Sequence, residues 1–206
     1  MGTERREHWE RIYREMQPNE LSWYQTDPTL SLALLEAAGI LPDDPIIDVG
    51  GGASPLVDRL LERGFRDITV LDIAHTALAQ VRLRLGPAAE RISLIRADIT
   101  QFRSARKYAL WHDRAVFHFL TDPIDRRAYV GALTAALRPS AHVIIATFAL
   151  DGPPRCSGLD VARYDPDGLA SQLGGGFHLL RVEQEQHMTP AQRVQHFQYC
   201  LFRAAA

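Results

Sequence analysis

Residues 46–55, IIDVGGGASP, predict a short strand that runs through a glycine turn into a helix. The apolar residues around Asp48 form a run of strand length, typical of a parallel sheet that is buried on both faces. The glycines 50–52 adopt a positive φ at little cost and let a ligand lie against bare backbone. The helix that Ser54-Pro55 opens should leave unpaired N–H groups, which suit a carboxylate or a phosphate.

Two further acids end the next two predicted strands. Asp72 follows the apolar residues 68–71 and lies 20 residues beyond Gly52. At this position a carboxylate can accept hydrogen bonds from both ribose hydroxyls of a nucleotide. Asp98 ends the following strand, where it can meet the exocyclic amine of an adenine. Three acids at three successive strand ends predict one crevice at the carboxyl edge of the sheet.

Strand and helix periods alternate along the chain, which indicates an α/β domain. Strands are predicted over residues 46–49, 68–71, 92–97, 108–111, 142–148, 177–186 and 195–202. Helices are predicted to begin near Thr3, Asp27, Ser54, His75, Asp125 and Asp165. Because the first five strands alternate with helices, they should form a parallel sheet with helices on both faces. A short turn joins the last two strands, so this pair should be antiparallel.

The composition excludes several classes of protein. The 206 residues are 46% hydrophobic and 23% charged, as in a globular domain, and the net charge of −2 gives no basic surface for a nucleic acid. No apolar run is long enough to cross a bilayer, and no apolar signal core follows the charged residues 1–7. We therefore expect a cytoplasmic protein with no membrane and no nucleic-acid partner.

The cysteines and histidines predict no metal site. Cys156 and Cys200 lie in different predicted elements and lack the spacing of zinc ligands, so both are expected to be reduced thiols. His187 and His196 could meet across the last pair of strands, but metal binding needs a third ligand that the sequence does not supply.

Three segments resemble the motifs of the class I S-adenosylmethionine-dependent methyltransferases. Residues 46–54 resemble the first motif, residues 70–73 the ribose-binding motif and residues 96–99 the adenine motif. The resemblance covers roughly residues 45–148 and, more loosely, the whole chain. It implies a three-layer, Rossmann-like α/β sandwich with a mostly parallel, seven-stranded sheet that contains one antiparallel strand.

The same resemblance assigns roles along the chain. It implies a single domain over residues 1–206, with N-terminal substrate-covering helices at 1–40 and a cofactor-binding core at 45–206. The expected cofactor is S-adenosyl-L-methionine, with S-adenosyl-L-homocysteine as its product. The residues expected to contact it are Asp48, Gly50, Gly51 and Gly52 at the methionine part, Asp72 and Ile73 at the ribose, and Asp98 and Ile99 at the adenine. One departure is Ser54-Pro55, where the family often has glycine and an aliphatic residue.

The loop after the fourth predicted strand, residues 112–120, faces the methyl group in the family. His118 there is a candidate general base, or a residue packed among its phenylalanine neighbours. Asp113 is a candidate catalytic residue that orients the cofactor or the substrate. Arg114 either contacts a substrate anion or pairs with a nearby acid, and the second interpretation is favoured.

The acceptor side is less defined. Trp23 and Tyr24 lie in a loop before the first strand and are the better candidates for a lid over a cationic sulfonium or substrate. Trp9 and Tyr13 share the apolar face of the first helix, for which core packing is favoured. Cys156 follows the fifth strand, either as a substrate contact or as a plain loop cysteine. The acceptor is predicted to be a small molecule or a protein lysine, and the protein a monomer or a homodimer.

Two other functions stay open. An NAD-dependent oxidoreductase needs a third glycine where Pro55 stands, and Asp48 would repel its pyrophosphate but attract the ammonium group of methionine. A non-catalytic scaffold would bind S-adenosylmethionine without transferring its methyl group. The motifs and the charge of Asp48 favour an active methyltransferase, in which alignment of the nucleophile with the methyl group supplies much of the catalysis.

Overall fold

A seven-stranded sheet organises the computed structural model, which describes residues 2–205. In chain order the strands are β1 (Ile46–Val49), β2 (Ile68–Asp72), β3 (Ser93–Arg96), β4 (Tyr108–Arg114), β5 (Leu137–Phe148), β6 (Arg155–Cys156), β7 (Leu159–Asp160), β8 (Phe177–Met188) and β9 (Val194–Ala204). The sheet order is β3-β2-β1-β4-β5-β9-β8, and β6 and β7 form a separate hairpin. Strands β1 to β5 are parallel, whereas β9 is antiparallel to both of its neighbours. The single antiparallel strand is therefore confirmed.

Helices cover both faces of this sheet. The α-helices of the described residues are α1 (Gly2–Glu15), α2 (Thr29–Ala37), α3 (Leu56–Glu62), α4 (His75–Leu85), α5 (Pro123–Ala136) and α6 (Pro166–Leu173). One core joins α2, α3 and α4 to Ile46 of β1, and the other joins α5 and α6 to Ile47, because successive residues of a strand point to opposite faces. The predicted three-layer sandwich is confirmed. None of these helices is both long and apolar enough to cross a membrane.

The order of strand addition reverses at β1. Strands β2 and β3 are added on one side of β1, and β4 and β5 on the other. In the sheet register, Asp48 lies beside Val70 of β2 and His112 of β4. The crevice outside the carboxyl ends of β1 and β4 is thus the switch point at which open α/β sheets bind ligands.

The predicted cap of α5 is wrong. Asp122, not Asp125, is the N-cap residue, and its carboxylate accepts a hydrogen bond from Ile124 N at 2.7 Å. Pro123 then takes the first helical position, a place that proline favours because its backbone needs no N–H partner there. Asp125 instead forms an ion pair with Arg5 of α1.

Two of the larger differences from the prediction lie after α5. Strand β5 begins at Leu137, directly after α5, rather than at His142. Residues 155–160 contain the hairpin β6–β7 where the sequence predicts only a loop. Ser157 and Gly158 turn this hairpin with φ angles of 50° and 79°, positive values that tight hairpin turns use.

Candidate active site

Two adjoining cavities lie at the carboxyl ends of the central strands. The larger cavity has a volume of about 660 Å³, and its walls include Asp72 and Asp98. The smaller cavity, of about 380 Å³, includes Asp48. Val49 and Gly50 line both cavities, so the two are parts of one crevice. The structure therefore brings together the three acids that the strand ends predict.

Asp72 is held by the backbone at the end of β2. Its carboxylate accepts hydrogen bonds from Gly52 N at 3.2 Å and from Ala74 N at 2.9 Å. Burial raises the pKa of Asp72 to about 6, and the nearby charge of Asp48 acts in the same direction, while the backbone donors act against both. Asp72 thus presents a carboxylate of fixed orientation to the larger cavity.

The glycine turn is shaped by the side chains around it. Gly50 has a φ of 70°, and a Cβ atom there would lie 2.1 Å from a methyl group of Val116. A Cβ atom on Gly51 would lie 2.2 Å from Oδ2 of Asp48, far inside contact distance. Both positions therefore require glycine, one for its conformation and both for the close approach of a neighbour.

The start of α3 differs from the prediction. Pro55 is the N-cap residue, and Leu56 N donates a hydrogen bond to Ser54 Oγ at 3.1 Å. Gly52 N is likewise bonded, to the carboxylate of Asp72. The first N–H group of α3 is therefore not free for a ligand, and recognition in the smaller cavity depends on side chains and on the rest of the glycine turn.

Arg5 of α1, a residue that the sequence does not single out, contacts Asp98. Thr100 donates to Asp98 Oδ1 from its N at 3.0 Å and from its Oγ1 at 2.8 Å. Arg5 Nη1 lies 3.1 Å from each carboxylate oxygen of Asp98, and Arg5 Nη2 pairs with Asp125. Arg5 is 93 residues away from Asp98, so no local pattern signals the contact. Ile99 lines the same cavity, as the adenine motif implies.

Four aromatic side chains form a roof over the larger cavity: Trp9, Tyr13, Trp23 and Phe119. The ring of Trp9 meets those of Trp23 and Phe119 edge to face, with centroid distances of 5.6 and 4.9 Å. Trp23 lies where a lid is predicted, whereas Trp9 and Tyr13 both pack together and line the cavity. Of the two cavities, Tyr24 lines the smaller.

Helix α1 is also fixed at the N-terminus of α4. Glu10 accepts hydrogen bonds from His75 N at 2.6 Å, from Thr76 N at 3.2 Å and from Thr76 Oγ1 at 2.6 Å. Partial burial raises the pKa of Glu10, but these hydrogen bonds outweigh it, so the pKa lies below its ordinary value. A carboxylate at a helix N-terminus also interacts favourably with the helix dipole. Arg5 and Glu10 together hold α1 over the crevice.

Arg114 links the loop around Trp23 to the last strands of the sheet. Its Nη1 donates to Trp23 O at 2.7 Å, and its Nε donates to the hydroxyl of Tyr199 at 2.7 Å. Its Nη2 pairs with Glu185 at 3.2 Å, and the guanidinium lies 4.3 Å from the ring centroid of Phe197. The favoured interpretation, an ion pair with a nearby acid, is confirmed. Arg114 also lines both cavities.

Asp113 holds the loop after β4. Its carboxylate accepts hydrogen bonds from the Tyr129 hydroxyl at 2.6 Å, from Val116 N at 2.9 Å and from Phe117 N at 3.1 Å. Burial raises the pKa of Asp113 to about 6, against the effect of these hydrogen bonds. Within this loop Ala115 has a φ of 68°, a strained value for a residue other than glycine. Asp113 is not among the described residues that line either cavity, so the predicted contact with a ligand has no support.

His118 is buried among aromatic rings. Its ring centroid lies 4.5 Å from that of Phe119 and 4.7 Å from that of Phe148. Burial lowers the pKa of His118 to about 3, and the charge of Arg114 acts in the same direction. Phe119, the next residue, lies on the cavity wall instead. The structure therefore supports the packing alternative for His118 and does not place it as a general base.

Cys156 and the two late histidines line neither cavity. Cys156 is buried in the core that contains α2, with its Sγ 3.7 Å from Ser22 Oγ, so the predicted substrate contact has no support. His187 bonds to Ser22 O at 2.8 Å and His196 bonds to Asp151 at 2.6 Å, so the two histidines do not meet. Within the described part of the chain, no three His, Cys, Asp or Glu side chains are grouped to hold a metal ion.

A buried hydrogen-bond chain that sequence reasoning misses lies behind Asp48. His112 Nδ1 is 2.7 Å from Asp48 Oδ1, and His112 Nε2 is 2.8 Å from Ser31 Oγ. The other oxygen, Asp48 Oδ2, has no hydrogen-bond partner in residues 2–205. The one signal in the sequence is that His112 directly follows the predicted fourth strand, residues 108–111, while Asp48 lies near the end of the first.

The central part of the chain matches a known family. Residues 46–140, which carry β1 to β4 and the acids of the crevice, match the family model described as "Methyltransferase domain". Residues 46–140 are therefore similar to a methyltransferase domain. The strand order of the sheet agrees with this likeness.

Curated proteins match this chain over about half of its length. The eEF1A lysine and N-terminal methyltransferase of Bos taurus is 28% identical over 100 residues, which cover 46% of this chain and 13% of that protein. Nodulation protein S of Rhizobium tropici is 30% identical over 98 residues, which cover 48% of this chain and 40% of that protein. The match is therefore a minor part of each relative.

Solved structures match this chain over nearly its whole length. The N-methyltransferase NodS from Bradyrhizobium japonicum WM9, in complex with S-adenosyl-L-homocysteine, has a TM-score of 0.73 and 18% identity, and the match covers 96% of this chain and 98% of that one. A protein from work on the conversion of a disulfide bond into a thioacetal group during echinomycin biosynthesis has a TM-score of 0.76 and 20% identity, with 97% and 91% covered. At these identities the likeness shows the fold alone.

Proposed function

We propose that this protein is a methyltransferase, which transfers a methyl group from S-adenosyl-L-methionine to a nitrogen atom of a small molecule or of an exposed protein lysine. The observation that carries the proposal is the single crevice in which Asp48, Asp72 and Asp98 lie beside the glycine turn. Nitrogen is favoured because the similar proteins include an eEF1A lysine and N-terminal methyltransferase and the N-methyltransferase NodS.

The crevice fits the parts of this cofactor. Asp72, with Ile73 beside it, would accept hydrogen bonds from the ribose hydroxyls, and Asp98 with Ile99 would hold the adenine. Asp48, whose buried Oδ2 has no partner in the described residues, would meet the ammonium group of the methionine part. When bound, S-adenosyl-L-methionine supplies an electrophilic methyl group on a positively charged sulfur.

The roof would exclude water and align the acceptor. Trp9 and Trp23 line the larger cavity, and aromatic faces attract cationic groups. Arg114 positions the loop that carries Trp23. In a displacement between aligned groups, positioning alone can remove up to about 7–11 kcal/mol of the barrier. The protein therefore contributes to catalysis mainly by aligning the acceptor with the methyl group.

The acceptor would have to reach the crevice as the free base. Among the described residues, His112 is the one histidine in the walls of the two cavities, and both of its ring nitrogens are hydrogen-bonded. We expect the acceptor to lose its proton to solvent before transfer, so that the pH dependence of kcat/KM follows the pKa of the acceptor. A series of amines of different pKa tests this, and one profile shared by all of them would contradict it.

Calorimetry tests the cofactor, with S-adenosyl-L-homocysteine as the ligand and NAD as the matched control. We expect S-adenosyl-L-homocysteine to bind and NAD not to bind, because Asp48 would repel a pyrophosphate and Pro55 replaces the third glycine of a dinucleotide site. Transfer of a labelled methyl group to amines, to thiols and to proteins of a lysate then identifies the acceptor atom. We expect the label on an amine.

The alternatives predict different results. Binding of NAD without S-adenosyl-L-homocysteine would indicate an NAD-dependent oxidoreductase. Binding of S-adenosyl-L-homocysteine with no labelled product from any acceptor would indicate a non-catalytic scaffold. A labelled thiol in place of an amine would overturn the nitrogen assignment.

We also propose a cytoplasmic location, a monomer or homodimer, and no nucleic-acid partner. The net charge of −2 supports the last point, since nucleic-acid binding depends on positive charge that neutralises phosphates. Light scattering after gel filtration measures the oligomeric state, and a mass above that of a dimer would contradict it. Retention on immobilised DNA at physiological salt would contradict the absence of a nucleic-acid partner.

A further inference from the structure

A three-residue hydrogen-bond chain joins helix α2 to the tip of strand β1. Ser31 of α2, His112 of β4 and Asp48 of β1 are buried, with exposed fractions of 1%, 3% and 1%. The ring of His112 lies between the other two side chains, 2.7 Å from Asp48 Oδ1 and 2.8 Å from Ser31 Oγ. Asp48 and His112 line the smaller cavity. The hydrogen-bond chain thus links α2 and the sheet to the smaller cavity.

The hydrogen-bond roles along this chain follow from the chemistry of its groups. A carboxylate only accepts hydrogen bonds, so His112 Nδ1 must carry the proton that is donated to Asp48 Oδ1. In the neutral ring, Nε2 then accepts a hydrogen bond that the Ser31 hydroxyl donates. Each group of the chain therefore holds the next in one orientation.

The orientation leaves one oxygen of Asp48 facing the crevice. Because Oδ1 is bonded to His112, Oδ2 is directed to the glycine turn, where it would lie 2.2 Å from a Cβ atom on Gly51. Oδ2 is buried and has no hydrogen-bond partner in the part of the chain that the structure describes. A buried carboxylate oxygen without a donor is unfavourable, so a ligand that brings a donor, above all a cationic one, is favoured here.

We propose that His112 and Ser31 are positioning residues that aim Asp48 Oδ2 at the ammonium group of the cofactor's amino-acid half. The inference rests on the proposed function and deepens it, since it assigns recognition of one half of S-adenosyl-L-methionine to residues outside the glycine motif. Ser31, His112 and Asp48 have the order of a Ser-His-Asp relay, but Ser31 is not among the residues that line either cavity. Hydrolysis by an activated serine is therefore not the role of the chain.

The test compares two ligands that differ only in the half under study. S-adenosyl-L-homocysteine carries the amino-acid half, whereas 5′-methylthioadenosine keeps the adenosine and the sulfur but lacks that half. If the hydrogen-bond chain positions Asp48, variants of its residues should lose affinity for S-adenosyl-L-homocysteine alone. A role in packing predicts that both ligands are affected alike, because the fold of the whole crevice would change.

We expect His112→Leu and Asp48→Asn each to weaken S-adenosyl-L-homocysteine by about tenfold or more, while 5′-methylthioadenosine changes by less than about twofold. Ser31→Ala should have the same selectivity with a smaller loss, of about threefold, because it only frees the histidine ring. His112→Asn keeps an N–H donor on a shorter side chain and should recover part of the affinity. Calorimetry gives each dissociation constant, and thermal unfolding checks each variant's fold.

The outcomes separate the inference from the proposed function. If the wild-type protein binds neither ligand, the proposed function fails. If the wild-type protein binds both, and the variants weaken both equally or neither, the positioning role is wrong while the proposed function stands. Asp72→Ala is the positive control, since it should weaken both ligands. Should His112→Leu fail to fold, Ser31→Ala and Asp48→Asn decide the same question.

Discussion

The floor and the roof of the crevice are built in different ways. The floor consists of strand ends, where Asp48 and Asp72 are set by the register of a buried sheet. The roof consists of α1 and the loop around Trp23, and side-chain contacts hold it in place. Arg5 and Arg114 make these contacts with partners 93 and 91 residues away.

This difference indicates which part moves. The floor shares the hydrogen-bond ladders and cores of the sheet, so it opens only when the domain unfolds. The contacts of Arg5 and Glu10 are polar and partly exposed, so the roof can open at a lower free energy. A site that closes over a cofactor and then releases it needs a rigid half and a half that opens. Variants of the floor and of the roof should therefore have different effects.

The largest effect is expected from the floor. Asp72→Ala should weaken S-adenosyl-L-homocysteine by about 100-fold, because two hydrogen bonds to a charged acceptor are lost. Calorimetry measures the change. Asp43→Ala is the matched control, since Asp43 is exposed and pairs only with Arg66 in the ion-pair network. Wild-type affinity in Asp72→Ala would disprove the ribose contact.

The glycine turn tests the rigidity of the floor. Gly51→Ala should lower the free energy of unfolding by up to about 3 kcal/mol, because the buried neighbours of the new Cβ have little room to move. That Cβ atom would lie 2.2 Å from Asp48 Oδ2. Urea unfolding measures the loss. Gly131→Ala in α5 is the control, since a Cβ there meets nothing within 4 Å, and it should raise stability by about 0.5–1 kcal/mol. Equal behaviour of the two variants would show that the turn can adjust.

The contact between roof and sheet is tested at Arg114. Arg114→Met should cost about 2 kcal/mol of unfolding free energy, because it leaves a mostly buried Glu185 without its cation. The side chains of the pair are 9% and 18% exposed. Arg66→Met removes an exposed pair and should change stability by less than about 0.5 kcal/mol. Adding Glu185→Gln to Arg114→Met should restore part of the lost unfolding free energy. A further loss would show that the unpaired charge of Glu185 is not the cause.

The pH dependence reports on Asp72. Since burial raises its pKa to about 6 in the folded protein, from an ordinary value of 3.8, its contribution to stability is present below 3.8 and is lost as the pH rises through 6. Ligand binding should show the opposite trend, because the ribose needs the ionised carboxylate. We expect affinity for S-adenosyl-L-homocysteine to rise by about tenfold from pH 5 to pH 7. Calorimetry over this range should show most of the rise disappear in Asp72→Asn, and an unchanged profile would contradict the assignment.

The smallest effect is expected at the outer contact of the roof. Arg5→Ala should reduce stability by about 1 kcal/mol, because the buried Asp98 keeps its two hydrogen bonds from Thr100 and Asp125 is partly exposed. Release of S-adenosyl-L-homocysteine, measured by stopped-flow tryptophan fluorescence, should nevertheless become a few-fold faster as α1 opens more often. Arg11→Ala on the same helix is the control, since Arg11 is exposed and bonds to His8 of α1 itself. Equal release rates in the two variants would mean that Arg5 does not hold the roof.

The floor of the crevice could be predicted from the sequence more fully than the roof. The strands that carry Asp48 and Asp72, the strand before Asp98 and the helix beginning at His75 are found where the periodicity predicts them. Beyond β4, Asp165 caps α6 and Phe177 begins β8 as predicted, but the cap of α5 and the start of β5 differ. The turn Phe117–Phe119, with a strained residue before it, decides that Phe119 and not His118 reaches the cavity.

The sequence alone determined the elements, their order and the acids at the strand ends, because strand period, glycine turns and caps act over a few residues. Only the tertiary structure decided which side chains meet across the crevice. Arg5 at Asp98, Arg114 at Glu185 and Ser31 behind His112 are long-range contacts. Such contacts depend on how whole elements pack, and the spacing of residues along the chain carries no information about that.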